Sequence, residues 1–267
     1  VALDVAAEAD TVTADLRALA PELTVVPVIR TGRPFYGARV GDLRGVAAGW
    51  LRGHRRAAPA EVAELADRLW QAGIREEQLV ACFLLARHPA ALAASDPGRV
   101  RAWTGLLDNW ETTDQLGMNV LGPLVALDVD QRFGLLEAMA GDPHPWTRRV
   151  ALVACTRLAR VDGAAGLWPR VAGLLLERAT DREAALPKAG SWVLRSWLGP
   201  CPEEVAAFVD RHAGQLPAVA VRETRAKLAT GTKRPPHRPG RPRPAPAEGS
   251  RPAPAAGSRP APAGGLA

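Results

Sequence analysis

The chain has 267 residues, with 34 Lys or Arg against 28 Asp or Glu and a formal net charge of +6. The last 37 residues, from Gly231, hold 7 of the basic residues, 1 acidic residue and 10 of the 24 prolines, so the first 230 residues are neutral overall. That excludes a uniformly basic nucleic-acid-binding body, and any anion-binding surface there must come from segregated charge.

The 3 cysteines (Cys82, Cys155 and Cys201) are too widely spaced for a disulfide framework or a metal-ligand cluster, and they read as small buried hydrophobes. No stretch approaches the ~18 uninterrupted apolar residues of a membrane span. The first ten positions carry Asp4, Glu8 and Asp10 and no basic residue, so no secretory signal is expected. An intracellular, cytoplasmic protein is therefore anticipated.

Apolar residues recur at three and four positions along the body, which predicts an all-α fold. Proline just inside helix starts, beside Asp or Gly, marks boundaries at Pro59, Pro97, Pro145 and Pro202. Taken in order, the predicted helices cover residues 4–20, 41–55, 60–72, 75–87, 98–111, 113–127, 130–140, 146–160, 164–179, 182–198, 203–213 and 217–229. Residues 23–29 are the one short candidate for a strand. Twelve short helices pair into about six hairpins at the spacing of HEAT-like arrays, which predicts an α-solenoid with a concave groove over residues 1–230. Residues 231–267 contain Gly249-Ser-Arg-Pro-Ala-Pro-Ala and again Gly257-Ser-Arg-Pro-Ala-Pro-Ala, and are expected to form an extended, disordered basic tail.

The 8 tryptophans are the informative anomaly. Trp110 and Asp114 lie four apart, so they share a helical face provided the chain is helical across the boundary predicted near residue 112. Trp146 precedes Arg148 and Arg149 at a helix start, and Trp192 lies between Lys188 and Arg195. Trp beside charge recurs near the hairpin spacing, so a regular solenoid can bring these sets together. Taken singly, each Trp reads more simply as core and each nearby charge as a structural bridge.

Five segments carry a resemblance: Phe35-Tyr-Gly-Ala-Arg-Val-Gly-Asp-Leu-Arg44, Arg75-Glu-Glu-Gln-Leu-Val-Ala-Cys-Phe-Leu-Leu85, Trp110-x-x-x-Asp114, Trp146-Thr-Arg-Arg149-Val-Ala-Leu-Val and Lys188-Ala-x-x-Trp192-Val-Leu-Arg195. In order and separation they resemble the DNA alkylation repair family, the HEAT-like-repeat DNA glycosylases of the AlkD type. The resemblance covers roughly residues 5–229. It implies a groove that holds duplex DNA containing alkylated purines, and hydrolysis of the N-glycosidic bond of 3-methyladenine, 7-methylguanine or bulkier adducts without base flipping. It further implies Asp114 as catalytic carboxylate, Trp110 and Trp192 as groove tryptophans, and Arg149 as a backbone-binding arginine. Arg148, Arg39, Arg44, Arg195 and Lys188 join the expected DNA-binding set, and Pro187 can open a shortened helix before Lys188. Residues 25–33 depart from the family pattern, and Arg30 or Arg33 can replace a contact there.

These residue types suit the implied reaction. An N3- or N7-alkylated purine is already cationic and leaves readily, so a carboxylate that stabilises the sugar cation and orients water suffices. Indole faces attract cations by roughly 0.5–2 kcal/mol. A guanidinium fixes phosphate without reading sequence. No cofactor or metal is expected, and the protein is expected to act as a monomer. Two other classes fit the same residues: a non-catalytic binder of damaged or branched DNA, and a solenoid scaffold for protein partners.

Overall fold

A computed structural model describes residues 2–19, 29–183 and 186–233. The strand candidate lies almost wholly outside these residues, as does the tail from residue 234 onward. Within them the fold is all-helical, with no strand.

The chain runs through α1 (Val5–Ala18), α2 (Val40–Gly53), α3 (Pro59–Gln71), α4 (Arg75–Arg87), α5 (Pro89–Ala94) and α6 (Pro97–Ala102). It continues through α7 (Trp110–Leu116), α8 (Gly122–Ala126), α9 (Val129–Ala140), α10 (Pro145–Leu158), α11 (Trp168–Glu177), α12 (Leu186–Trp197), α13 (Pro202–Arg211) and α14 (Ala218–Thr230). Helices α2, α4, α7, α10, α12 and α14 each pack on the next, forming one row. A second layer, including α1, α3, α5, α9, α11 and α13, packs behind it. This is the arrangement of an α-solenoid built from helical pairs.

Polar contacts fix the direction of the row. Arg75 at the start of α4 meets Glu111 at the start of α7, Asp114 meets Arg149 at the fifth residue of each helix, and Ser191 of α12 meets Glu223 of α14 at the sixth. Near the opposite ends, Trp197 Nε1 donates to the Cys155 carbonyl at 2.9 Å. From α4 to α14 the row is therefore parallel, and its helix N-termini line one edge. Their dipoles bias that edge toward anions.

Most tryptophans belong to the core. Trp70 and Trp103 stack with centroids 4.8 Å apart, and Trp168 and Trp197 pack at 5.8 Å. Buried indole nitrogens find acceptors, as Trp70 Nε1 does on the Trp103 carbonyl and Trp103 Nε1 on Asp67. Truncating one of these to Ala costs about 3–5 kcal/mol. All three cysteines are buried and unpaired, as expected of small hydrophobes.

The stretch before the site corrects the predicted boundaries. Residues 98–111 do not form one helix: α6 ends in a short 3-10 turn, Trp103–Leu106, and the chain extends through residues 107–109. The Asn109 side chain then accepts from the Glu111 and Thr112 amides and starts α7 at Trp110. The boundary expected near residue 112 is absent. From Trp110 the chain is helical through a π-turn, Gly117–Leu121, into α8. Pro187 falls in the first turn of α12, which starts at Leu186 rather than near residue 182.

Candidate active site

The central feature is one ion pair between neighbouring helices of the row. Arg149 Nε donates to Asp114 Oδ1 and Arg149 Nη2 to Oδ2, both at 2.8 Å. The pair is bidentate, the geometry that best matches a planar guanidinium to a carboxylate. Both side chains are nearly buried, with 12% of Asp114 and 6% of Arg149 exposed.

Close helix packing makes the pair possible. A Cβ on Gly117 would lie 2.8 Å from Val153 Cγ1, and one on Gly122 would lie 2.8 Å from the Ala154 carbonyl and Arg157 Cβ. Glycine at both positions lets the α7–α8 segment approach α10 without side chains between them. The π-turn starts at Gly117 and ends just before Gly122.

Burial pushes the Asp114 carboxyl above its ordinary value, and the paired Arg149 guanidinium opposes that rise without cancelling it. A carboxylate held this way is poorly compensated and gains from any further positive charge beside it.

Trp110 starts the helix that carries Asp114, and at 47% it is the one exposed tryptophan among the described residues. Its neighbour Glu111 is clamped by Arg75, with Nε to Oε2 at 2.6 Å and Nη2 to Oε1 at 3.0 Å. Helix α7 is thus braced on both sides, toward α4 through Glu111 and toward α10 through Asp114. Sequence spacing placed Trp110 and Asp114 on one face but gave no sign of either brace.

Trp192 sits two helices along the row, half-buried against the core on α12. Its flanking cations converge on a residue absent from the sequence-derived set, Glu223 of α14. Glu223 accepts from Ser191 Oγ at 2.7 Å, lies 3.3 Å from Lys188 Nζ and lies 3.5 Å from Arg195 Nε. Burial raises its carboxyl, but Ser191, Lys188 and Arg195 outweigh that and hold it below the usual carboxylate range. Lys227 Nζ in turn donates to the Arg195 carbonyl.

The other predicted cations are placed differently. Arg148 turns away from Asp114: Nε meets Asp181 at 2.8 Å, and Nη1 donates to the carbonyls of Asp142 and Pro143. Arg39 is exposed at the N-cap of α2, and Arg44 is exposed with its guanidinium 5.1 Å from the Phe83 ring centroid. Gln78, within the Arg75–Leu85 segment, is buried, with no hydrogen-bond partner for Nε2 among the described residues.

The sequence model of the DNA alkylation repair enzyme family matches residues 13–228. The chain belongs to that family. Its match covers the row from α2 through α12 and most of α14, together with both carboxylate–cation centres. No curated protein and no solved structure matches the chain. The match supports a role in DNA alkylation repair, and Arg75, Trp110, Trp146 and Lys188, among the residues that carry the resemblance, lie in the first turns of α4, α7, α10 and α12. No helix among the described residues is long and apolar enough to cross a membrane, and no group of three or more His, Cys, Asp or Glu there could hold a metal ion.

Proposed function

We propose that this protein is an alkylpurine DNA N-glycosylase that hydrolyses the bond between deoxyribose and a cationic N3- or N7-alkylated purine in duplex DNA. The observation that carries the reading is an exposed indole, Trp110, one helical turn from a carboxylate, Asp114, held by a single buried guanidinium.

The lesion supplies its own leaving group, because the alkylated base departs as a neutral purine. Positive charge then develops on the sugar. Asp114 acts as its counter-ion and orients the water that adds to the sugar carbon. Trp110 and Trp192 flank the cationic nucleotide and favour it over a neutral one. Arg149 fixes the Asp114 carboxylate and adds positive potential toward the adjacent phosphate, while Lys188, Arg195, Arg39 and Arg44 extend that potential along the edge. Because Trp110 stands on an exposed surface, the base is engaged within the duplex without extrusion, and a bulky adduct is accommodated as readily as a methyl group. The chemistry needs no cofactor or metal ion.

One observation favours a second reading. Both carboxylate oxygens of Asp114 are occupied by Arg149, as in a purely structural bridge, and that suits a non-catalytic binder of damaged DNA. Release of free 7-methylguanine and 3-methyladenine from methylated duplex DNA by the full chain separates the two. The glycosylase releases base from methylated but not untreated DNA. A non-catalytic binder shows salt-dependent binding and no release.

A further inference from the structure

We propose that Phe35 is a third aromatic contact for the alkylated nucleotide, presented by a braced strap over residues 29–38; this rests on the glycosylase reading. Phe35 is 37% exposed, whereas Phe83, Phe133 and Phe208 are buried. It makes no ring-stacking or cation contact among the described residues. An exposed phenyl on a loose loop would be unremarkable, but this one is fixed on both sides.

The Arg75 amide donates to the Pro34 carbonyl at 3.1 Å, just before Phe35. Just after it, the Tyr36 and Gly37 amides both donate to the Glu76 carboxylate at 2.9 Å, and Glu76 is fully buried. Gly37 takes φ 96°, a backbone setting that side chains disfavour, so the turn needs glycine there. Tyr36 Oη donates to Glu77 at 2.6 Å. The other end of the strap is tied to the residues before α7, where Asp108 accepts from Thr31 Oγ1 at 2.8 Å and from the Gly32 amide at 2.7 Å.

These anchors tie the strap that carries Phe35 to the start of α7, the helix that carries Trp110 and Asp114. Arg75, whose amide holds the strap, clamps Glu111, the residue after Trp110, with its guanidinium. Arg75 Nη1 also donates to the Ala38 carbonyl at the strap's far end. Two exposed aromatics therefore project from supports that share one buried guanidinium, with exposed Arg39 and Arg44 following on α2. Aromatic faces interleaved with cations suit a nucleic acid, whose bases and sugars stack while its phosphates pair. Because the backbone is fixed in advance, binding need not order the strap.

The experiment compares wild type, Phe35→Ala, Phe35→Leu and Phe35→Trp as full chains. It reads 7-methylguanine release and affinity for a duplex carrying a tetrahydrofuran abasic analogue against an undamaged duplex. Phe35→Ala and Phe35→Leu should lose about 5- to 30-fold of the preference for the damaged duplex, the scale of one aromatic stack, and slow release similarly. Phe35→Trp should retain both. Melting temperatures should match wild type, because the ring is exposed and the strap is held through its backbone. Wild-type preference and rate in Phe35→Ala, or in Phe35→Leu, would overturn the proposal, as would an equal loss of affinity for both duplexes. If wild type neither releases base nor prefers the damaged duplex, the glycosylase reading fails and this inference fails with it.

Discussion

Asp114 and Glu223 expose similar fractions of their side chains, 12% and 13%, and both meet arginine between adjacent helices of the row, yet their carboxyls shift in opposite directions. Asp114 is placed deeply and relies on one guanidinium. Glu223 collects a hydroxyl, an ammonium and a guanidinium. The difference lies first in depth, since burial dominates at Asp114, and then in the number of partners that compensate each charge. In the proposed glycosylase, the first centre would offer negative charge to a developing cation, whereas the second would use its carboxylate to position cations for DNA.

The largest separation between the two centres is expected from removing each carboxylate. Asp114→Asn should raise the barrier to base release by about 2–4 kcal/mol, the scale of losing a positioned electrostatic group. It also removes the Asp114 charge that pairs with Arg149 in a nearly buried site, so a stability loss of up to about 3 kcal/mol should appear in denaturant titration. Glu223→Gln should leave the maximal rate of base release within about tenfold of wild type and act mainly on DNA affinity and its salt dependence. Equal loss of rate in both variants would dissolve the distinction.

Packing provides the next test. Gly122→Ala forces a methyl group to within 2.8 Å of the Ala154 carbonyl and Arg157 Cβ, so α8 must move from α10. Overpacking of this kind costs about 1–3 kcal/mol. Base release should fall while the α12–α14 centre keeps its DNA-binding contribution. An unchanged melting temperature would show that the close approach is not needed.

The signs of the two shifts give the smallest effects. Asp114 has a raised carboxyl, so the acid limb of base release should lie above the ordinary aspartate value of 3.8. Arg149→Gln removes the opposing cation and should move that limb further up in pH. Glu223 has a lowered carboxyl, so its contribution to stability is present above its ordinary value of 4.5 and is lost as pH falls below it. Glu223→Gln should flatten that part of the stability curve, and an unchanged curve would show that Ser191, Lys188 and Arg195 do not stabilise the charge.

Much of this comparison was legible in the sequence, but not all. Helical periodicity and proline boundaries gave most of the row, and spacing put Trp110 and Asp114 on one face. The break at residues 107–109 was missed because apolar periodicity runs across it, while the Asn109 cap that restarts the helix is a weak local signal. The union of Asp114 with Arg149 was also missed. They are 35 positions apart, and the cue that α7 and α10 can approach so closely lies in Gly117 and Gly122, whose role appears only once the helices are packed. Glu223 gave no signal either, because a carboxylate on a terminal helix reads as a solvated charge until Lys188, Ser191 and Arg195 surround it.

The most direct test of the central claim is a single-turnover pH–rate profile for 7-methylguanine release by wild type and Asp114→Asn, over a range in which both remain folded. The Asp114–Arg149 centre predicts an acid limb above pH 3.8 in wild type, and in Asp114→Asn the loss of that limb together with a plateau lowered about 30- to 1000-fold. Retention of both the limb and the plateau in Asp114→Asn would contradict the account.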